Sequence, residues 1–324
     1  MEYRSLGASG LKVSVLGLGT NAFGGRADKE TSIRIIHQAL DGGIHFLDTA
    51  NIYTGGRSEE IIGEAIRGRR HEVILATKAG GRTGDGPLDA GSSRRHLQRE
   101  LEQSLRRLGT DYIDLYQIHT FDPDTPLEET LRTLDDFVRS GKVRYIGASN
   151  YFAWELMKAL GISERLNLTR FVSVQPSYSL ADRTVEQELV PLCLDQGIGL
   201  IPYFPLAGGI LTGKYTSTDV VPRGSRLDKE PRFANRLTPE RLELGRQVAR
   251  IANDLGVTPG VLSIAWLLQR PAVSTVIAGA SRPEQVAENL KALEVKLDAA
   301  TLAELDRISQ PFVYGPPFAT FRLK

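Results

Sequence analysis

The 324 residues contain a single cysteine, Cys193, so no disulfide can form within the chain. It sits in the apolar stretch LVPLCLDQG, which predicts a buried, inert thiol. No run of about 18 consecutive apolar residues occurs, so no membrane-spanning helix is expected. An excess of charge of one sign is also missing. The 40 Lys and Arg against 39 Asp and Glu leave a formal net charge of +1. With no dense basic run, neither nucleic acid nor an anionic membrane is an expected partner. The short basic clusters RGRR at 67–70 and SSRRH at 92–96 read as solvated helix faces. The opening MEYRSLGASG lacks the basic and apolar regions of a secretory signal, so the expected compartment is the cytoplasm. Low-complexity segments and strong internal repeats are absent. The hydrophobic share of 41% and charged share of 24% are those of a globular protein and exclude a disordered chain, a collagen and a coiled coil.

What the chain does have is an alternation. Short, nearly all-apolar, β-rich runs recur at 13–18, 44–47, 73–77, 113–118, 143–147, 172–175, 200–203 and 274–277. Such runs suit strands buried on both faces. Between them lie amphipathic helical patterns: TSIRIIHQALDGG, SEEIIGEAIRG with Ser58 as its expected N-cap, SSRRHLQRELEQSLRRLG, PLEETLRTLDDFVRSGK, AWELMKALG, VEQELVPLCLDQG, TPERLELGRQVARIANDLG and PEQVAENLKALE. Several open on Pro and close on Gly, the expected asymmetry of helix ends. Eight strands alternating with eight helices fit a closed (β/α)8 barrel or an open doubly wound sheet. The open sheet would want a glycine-rich turn leading directly into a helix. Here LGLGTNAFGG runs on through Phe23 and Arg26 first. The expectation is therefore one α/β barrel domain over residues 1–324, within the size range of such barrels. Three segments exceed the repeat: a leading hairpin, a long connection at 206–238 and an aromatic, Pro-rich tail at 311–324.

In a barrel, chemistry gathers where strands end and βα loops begin. The polar residues at those ends are Gly19, Thr20 and Asn21 after strand one, Asp48 and Tyr53 after strand two, and Lys78 after strand three. His119 follows strand four, Ser149 and Asn150 strand five, Gln175 strand six and Tyr203 strand seven. Asp48, Tyr53, Lys78 and His119 thus converge from three consecutive units. An ordinary tyrosine, with a pKa of about 10, is a poor proton donor at neutral pH. A neighbouring lysine lowers that value, a carboxylate holds the lysine, and a histidine can hydrogen-bond a substrate oxygen. Taken one at a time, such residues are more often packing or structural ion pairs. The reading rests on four compatible groups sharing one rim. His37, His45, His71 and His96 read as structural or solvated.

At this point the sequence resembles the aldo-keto reductase superfamily. It looks closest to the branch with a long loop after strand seven, which includes bacterial reductases and β-subunits of voltage-gated potassium channels. The resemblance is carried, in order, by FLDTANIYTGGRSEEIIGEAI, DYIDLYQIH, GKVRYIGASN, SVQPSYSL, PYFPLAGGILTGKY and IAGASRPEQVAENL. It implies NADPH-dependent reduction of an aldehyde or ketone, with Tyr53 as general acid, Lys78 tuning it, Asp48 holding Lys78 and His119 orienting the carbonyl. It also implies cofactor contacts from Gly19, Thr20, Asn21 and Asp48. Ser149, Asn150 and Gln175 match the carboxamide contacts, and Tyr203 the aromatic that stacks on the nicotinamide. Phe204, Pro205, Leu206, Ala207 and Gly209 to Leu211 match the pyrophosphate stretch, with Lys214 and Arg226 as nearby cations. Gly279, Ser281, Arg282 and Gln285 match the 2′-phosphate loop, and Glu288 and Asn289 the adenine contacts, on the expected first turns of a helix.

The chain departs from the pattern at Phe204, where the branch often has Ser, and at Gly279 and Gln285, where related chains carry cations. This leaves Arg282 and Arg226 for a 2′-phosphate and admits NADH as an alternative cofactor. The expected partner is a small carbonyl compound. Its pocket is assigned to Phe23, Tyr53, His119, Phe121, Tyr151 and Trp154, joined by Tyr178 and the aromatics of the tail. Oligomeric state is left open. A regulatory protein of the channel β-subunit kind is the rival reading. The intact set of four, and a start without an added N-terminal segment, favour the enzyme. A Schiff-base lysine at Lys78 would want a desolvated, low-pKa amine, and Asp48 opposes that.

Overall fold

The computed structural model describes residues 1–319 and 321–323, without the side chains of Pro231 and Arg232. Thr320 and Lys324 of the expected tail lie outside the described residues. Two short antiparallel strands, β1 (Tyr3–Ser5) and β2 (Lys12–Ser14), form the leading hairpin. Eight parallel strands follow: β3 (Leu16–Gly19), β4 (Phe46–Asp48), β5 (Ile74–Ala79), β6 (Ile113–Ile118), β7 (Val143–Ser149), β8 (Phe171–Gln175), β9 (Gly199–Leu200) and β10 (Val276–Gly279). Their order is β10-β3-β4-β5-β6-β7-β8-β9. The ring closes where the Ser274 amide donates to the Leu200 carbonyl and the Ile277 amide to the Pro202 carbonyl, both at 2.9 Å. The (β/α)8 barrel is therefore present. One strand run is divided: residues 13–18 turn at Val15, so their first half belongs to the hairpin and their second to the barrel.

Outside the strands lie α1 (Lys29–Asp41), α2 (Arg57–Ala65), α3 (Arg94–Leu108), α4 (Leu127–Arg139), α5 (Ala153–Leu166), α6 (Leu189–Gln196), α7 (Arg226–Lys229), α8 (Pro239–Asp254), α9 (Pro259–Leu268), α10 (Pro283–Leu290) and α11 (Ala299–Ser309). Asp28 caps α1 and Ser93 caps α3 through their side chains, satisfying backbone amides left over at a helix start. Ser58 is not the cap of α2. The helix begins at Arg57 after Gly56, and the Ser58 hydroxyl donates to the Thr20 carbonyl at 3.1 Å, which ties α2 to the end of β3. Gly161 does not stop α5; Asn167, at φ 51, does. The helix α9 escaped the sequence pattern because Val261 to Leu268 are all buried, and a helix apolar all round has no polar face to reveal its period. No single helix among the described residues is long and apolar enough to cross a membrane.

Inside the barrel the side chains form two layers. At the N-terminal end Leu6 and Val13 of the hairpin pack with Phe46, Ala76, Leu115, Ile201 and Ile277 in a small apolar cluster. Gly7 permits this approach. It has φ 57, and a β-carbon there would collide with backbone atoms of Gly197, Gly199 and Val172. Two residues further along β4, β5 and β6 stand Asp48, Lys78 and Gln117. A strand's side chains repeat on one face every second residue, so the same inward face that is apolar at one end is polar at the other. The 206–238 connection is not structureless: it contains a 3-10 turn at Ala207–Thr212, the short α7 and a second turn at Pro231–Arg236. Cys193 is buried on α6, and burial pushes its thiol up to about 12.

Candidate active site

Strand ends bring Asp48, Lys78, Gln117 and Gln175 into one buried group. The Lys78 ammonium, fully buried, donates to Asp48 Oδ2 at 2.7 Å, to the Thr49 carbonyl at 2.8 Å and to the Tyr53 hydroxyl at 3.4 Å. Asp48 Oδ1 accepts from Gln175 Nε2 at 2.8 Å and from Gln117 Nε2 at 3.3 Å. Gln117 was missed in the sequence. Its signal was alternation, since it precedes His119 by two in YQIH. Buried ion pairs rarely add net stability. This one places a fixed positive charge at the phenol of Tyr53.

Tyr53 lies in the short turn between β4 and α2, and its ring meets that of His119 edge-on at 5.9 Å. Burial raises the phenol's pKa, and Lys78 pulls it back only in part. The expected lowering by Lys78 is thus outweighed, and Tyr53 holds its proton at neutral pH. Burial disfavours the charge on Lys78, but Asp48 and Tyr53 together raise its pKa above the ordinary value. A Schiff-base role, which needs a lowered value, has no support here. Burial, with help from Lys78, takes the His119 imidazole down to about 3, so it is neutral. Its Nδ1 is buried, without a hydrogen-bond partner among the described residues.

The residues expected at a nicotinamide carboxamide lie together and bind one another. Ser149 Oγ donates to the Gln175 carbonyl at 2.9 Å, Asn150 Nδ2 to the His119 carbonyl at 2.8 Å, and the Tyr203 hydroxyl to Asn150 Oδ1 at 2.7 Å. Asn150 has φ 56, a conformation Asn tolerates better than most residues. Gly19 pairs with Gly279 across β3 and β10, and Gly279 is exposed. Asn21 accepts from Arg26 at 3.0 Å. Thr20 is fully buried, its amide and hydroxyl both donating to the Asp48 carbonyl.

After β9, Phe204 and Ala207 are both left-handed at φ 55 and 45, and Gly209 at φ 95. Pro205 is buried, Leu206 half-buried, and Leu211 fully buried, anchoring the loop to the core. Arg226 and Arg26 share Glu230 at 3.3 and 3.1 Å, which clasps the long loop to the loop after β3. Partial burial, then the charges of Arg226, Arg282 and Arg26, pull the Lys214 ammonium below its ordinary value. Like charges gathered in this way suit an anion. Arg26 was not among the expected residues; only the fold brings it across. Glu288 and Asn289 lie in the last turn of α10, not its first, because the helix already starts at Pro283. Gln285 Oε1 accepts from Ser281 N, Ser281 Oγ and Arg282 N, so its carbonyl caps the helix. Glu288 accepts from Thr258 at 2.7 Å and Lys291 at 2.8 Å.

The mouth beside His119 is aromatic. Half-buried Phe121 packs edge-on against the exposed Trp154 at 5.8 Å. Phe321 of the tail lies 6.1 Å from Tyr203, and its carbonyl accepts from Thr120 at 2.9 Å. Arg322 pairs with Glu155 at 2.9 Å and lies 3.6 Å from the Phe152 ring. Three pocket expectations fail. Phe23 is fully enclosed in the core, Tyr151 sits behind Phe121 at 3% exposure, and Tyr178 is packed on Trp266. Each is an aromatic whose burial in the wall leaves no free face. An open hollow of about 560 Å³ borders α3, lined by Arg94, Arg95, Arg99, Glu102 and Glu129 among others. It lies outside the barrel, away from the buried group.

The model of the aldo/keto reductase family matches residues 15–310. Among curated relatives, the "Probable voltage-gated potassium channel subunit beta" of Arabidopsis thaliana is 40% identical, covering 96% of both chains. An uncharacterised oxidoreductase of Bacillus subtilis is 41% identical, over 95% of this chain and 96% of its own. The L-glyceraldehyde 3-phosphate reductase of Escherichia coli is 36% identical, over 95% and 92%.

Proposed function

The chain belongs to the aldo/keto reductase family, and on that premise we propose that it reduces an uncharged aldehyde or ketone to the alcohol with NADPH. The observation that carries this is the buried contact of Lys78 with both Asp48 and Tyr53, beside a neutral His119. When bound, the reduced nicotinamide supplies the hydride to the carbonyl carbon. Tyr53 gives its hydroxyl proton to the carbonyl oxygen, and the resulting phenolate is stabilised by the Lys78 ammonium. Asp48 and the Thr49 carbonyl hold that ammonium in place. His119, neutral and with its ring beside that of Tyr53, orients the same oxygen.

The residues present fit the cofactor. Asn150, Ser149 and Gln175 offer amide and hydroxyl groups at one end, beside the ring of Tyr203. Arg26, Lys214, Arg226 and Arg282 offer positive charge at the other. Arg282 and Arg226 favour NADPH over NADH, since a 2′-phosphate is best matched by guanidinium. The rim of Phe121, Trp154 and Phe321, with Arg322 already neutralised by Glu155, favours an apolar substrate over a phosphorylated one. The test is cofactor oxidation against a panel of carbonyls. Benzaldehyde-like compounds with NADPH should turn over at least about tenfold more efficiently than glyceraldehyde 3-phosphate. The reverse order would contradict the apolar mouth. Tight NADPH binding without turnover on any carbonyl would favour a binding role like that of the channel subunits.

A further inference from the structure

Phe204 has a backbone conformation that side chains other than glycine seldom adopt, at φ 55. Its ring is packed by its chain neighbour and by two distant segments. Tyr203 lies 5.2 Å away, Phe233 of the long loop 5.5 Å and Phe318 of the tail 5.5 Å. The guanidinium of Arg226 lies 4.5 Å from its centroid, within the range of a cation–π contact. Arg241, buried on α8, ties the long loop and the tail together. It donates to the carbonyls of Ala181 at 3.4 Å, Arg236 at 3.3 Å and Pro316 at 3.0 Å. Phe318 is almost fully buried, and its amide donates to Asp182 at 2.8 Å. Three residues on, Phe321 covers Tyr203 and is held by Thr120, next to His119.

We propose that Phe204 is a positioning residue that seats Arg226 and the C-terminal tail on one ring, so that the cofactor contact and the substrate mouth set each other's geometry. The proposal rests on the reading of Arg226 as a cofactor residue. A small polar side chain at 204 could serve the long loop alone; only a large flat one also reaches Phe318. Coupling of this kind is reciprocal. A change at the tail must alter cofactor affinity, and a change at the ring must alter both.

The test compares wild type with Phe204→Ala, Phe204→Tyr and Phe318→Ala. Amide hydrogen exchange is read on the protein without cofactor, NADPH affinity by fluorescence, and KM and kcat for an aromatic aldehyde at saturating NADPH. Phe204→Ala should speed exchange in 226–236 and 313–319 together and weaken NADPH about tenfold. It should also raise KM while leaving kcat within about twofold. Phe204→Tyr should restore all of these. Phe318→Ala, altered on the tail side only, should weaken NADPH about threefold. Faster exchange in one segment alone, or wild-type NADPH affinity in Phe318→Ala, overturns the proposal while leaving the reductase reading intact. A wild-type protein that binds no NADPH overturns the reductase reading, and the proposal with it.

Discussion

The two ends of the barrel interior are built on the same strands and differ by two residues along each. Phe46, Ala76 and Leu115 fill the N-terminal layer with the hairpin's Leu6 and Val13. Asp48, Lys78 and Gln117 fill the C-terminal layer. The first is built from aliphatic and phenyl side chains. The second confines an ion pair and two amides whose hydrogen bonds satisfy one another. Position along the strand, not depth from the surface, divides packing from chemistry: Leu115 and Lys78 are both fully buried. The apolar layer makes the polar one affordable, because a barrel closed and filled at one end can keep a buried charge at the other.

Substitutions in the two layers should separate. The largest effect is expected for Lys78→Met. It leaves Asp48 buried without its counter-ion, at a cost of about 3–5 kcal/mol in denaturant unfolding. It should also lower kcat/KM by roughly 10²–10⁴ through the loss of the charge beside Tyr53. Leu115→Ala should cost about 2–5 kcal/mol through the cavity it opens, yet leave kcat and KM of the folded enzyme as in wild type. A large kinetic effect there would break the division between the layers. Arg282→Ala lies outside both and should leave stability unchanged. It should weaken NADPH about tenfold while sparing NADH; equal weakening of both would move the 2′-phosphate elsewhere.

The smallest effect concerns pH. His119 stays neutral above about 3, and the Tyr53 phenol lies above its ordinary value. The kcat/KM profile of the free enzyme should therefore be flat from about pH 5 to 9, with no limb near 6.5. For stability the sign runs against acid. Between pH 6.5 and 3 the unfolded chain takes up a proton at His119 that the folded one does not, so that residue disfavours folding as pH falls. A kinetic limb at 6.5 that disappears in His119→Gln would show an imidazole that titrates normally.

The barrel, and the meeting of Asp48, Tyr53, Lys78 and His119 at one end of it, were legible in the sequence because strand periodicity and strand ends carry both. Asp48, Lys78 and His119 close apolar runs, and the site is what those runs aim at. The rest needed distance. Arg26 meets Glu230 across more than 200 residues, and Arg322 meets Glu155 from the tail; no local pattern links them. Phe23, Tyr151 and Tyr178 were misread as pocket residues because the sequence gives an aromatic side chain's size but not its facing. Ser58 was misread as a cap because a tertiary partner, Thr20, outcompeted the helix end for its hydroxyl.

The central claim is that the Tyr53 hydroxyl supplies the proton while other groups hold the cofactor. Tyr53→Phe removes one oxygen from the site. NADPH dissociation constants and aldehyde turnover should be measured on the same preparation. The account predicts NADPH affinity within about twofold of wild type and turnover reduced by roughly 10²–10⁴. Wild-type turnover in Tyr53→Phe would contradict it.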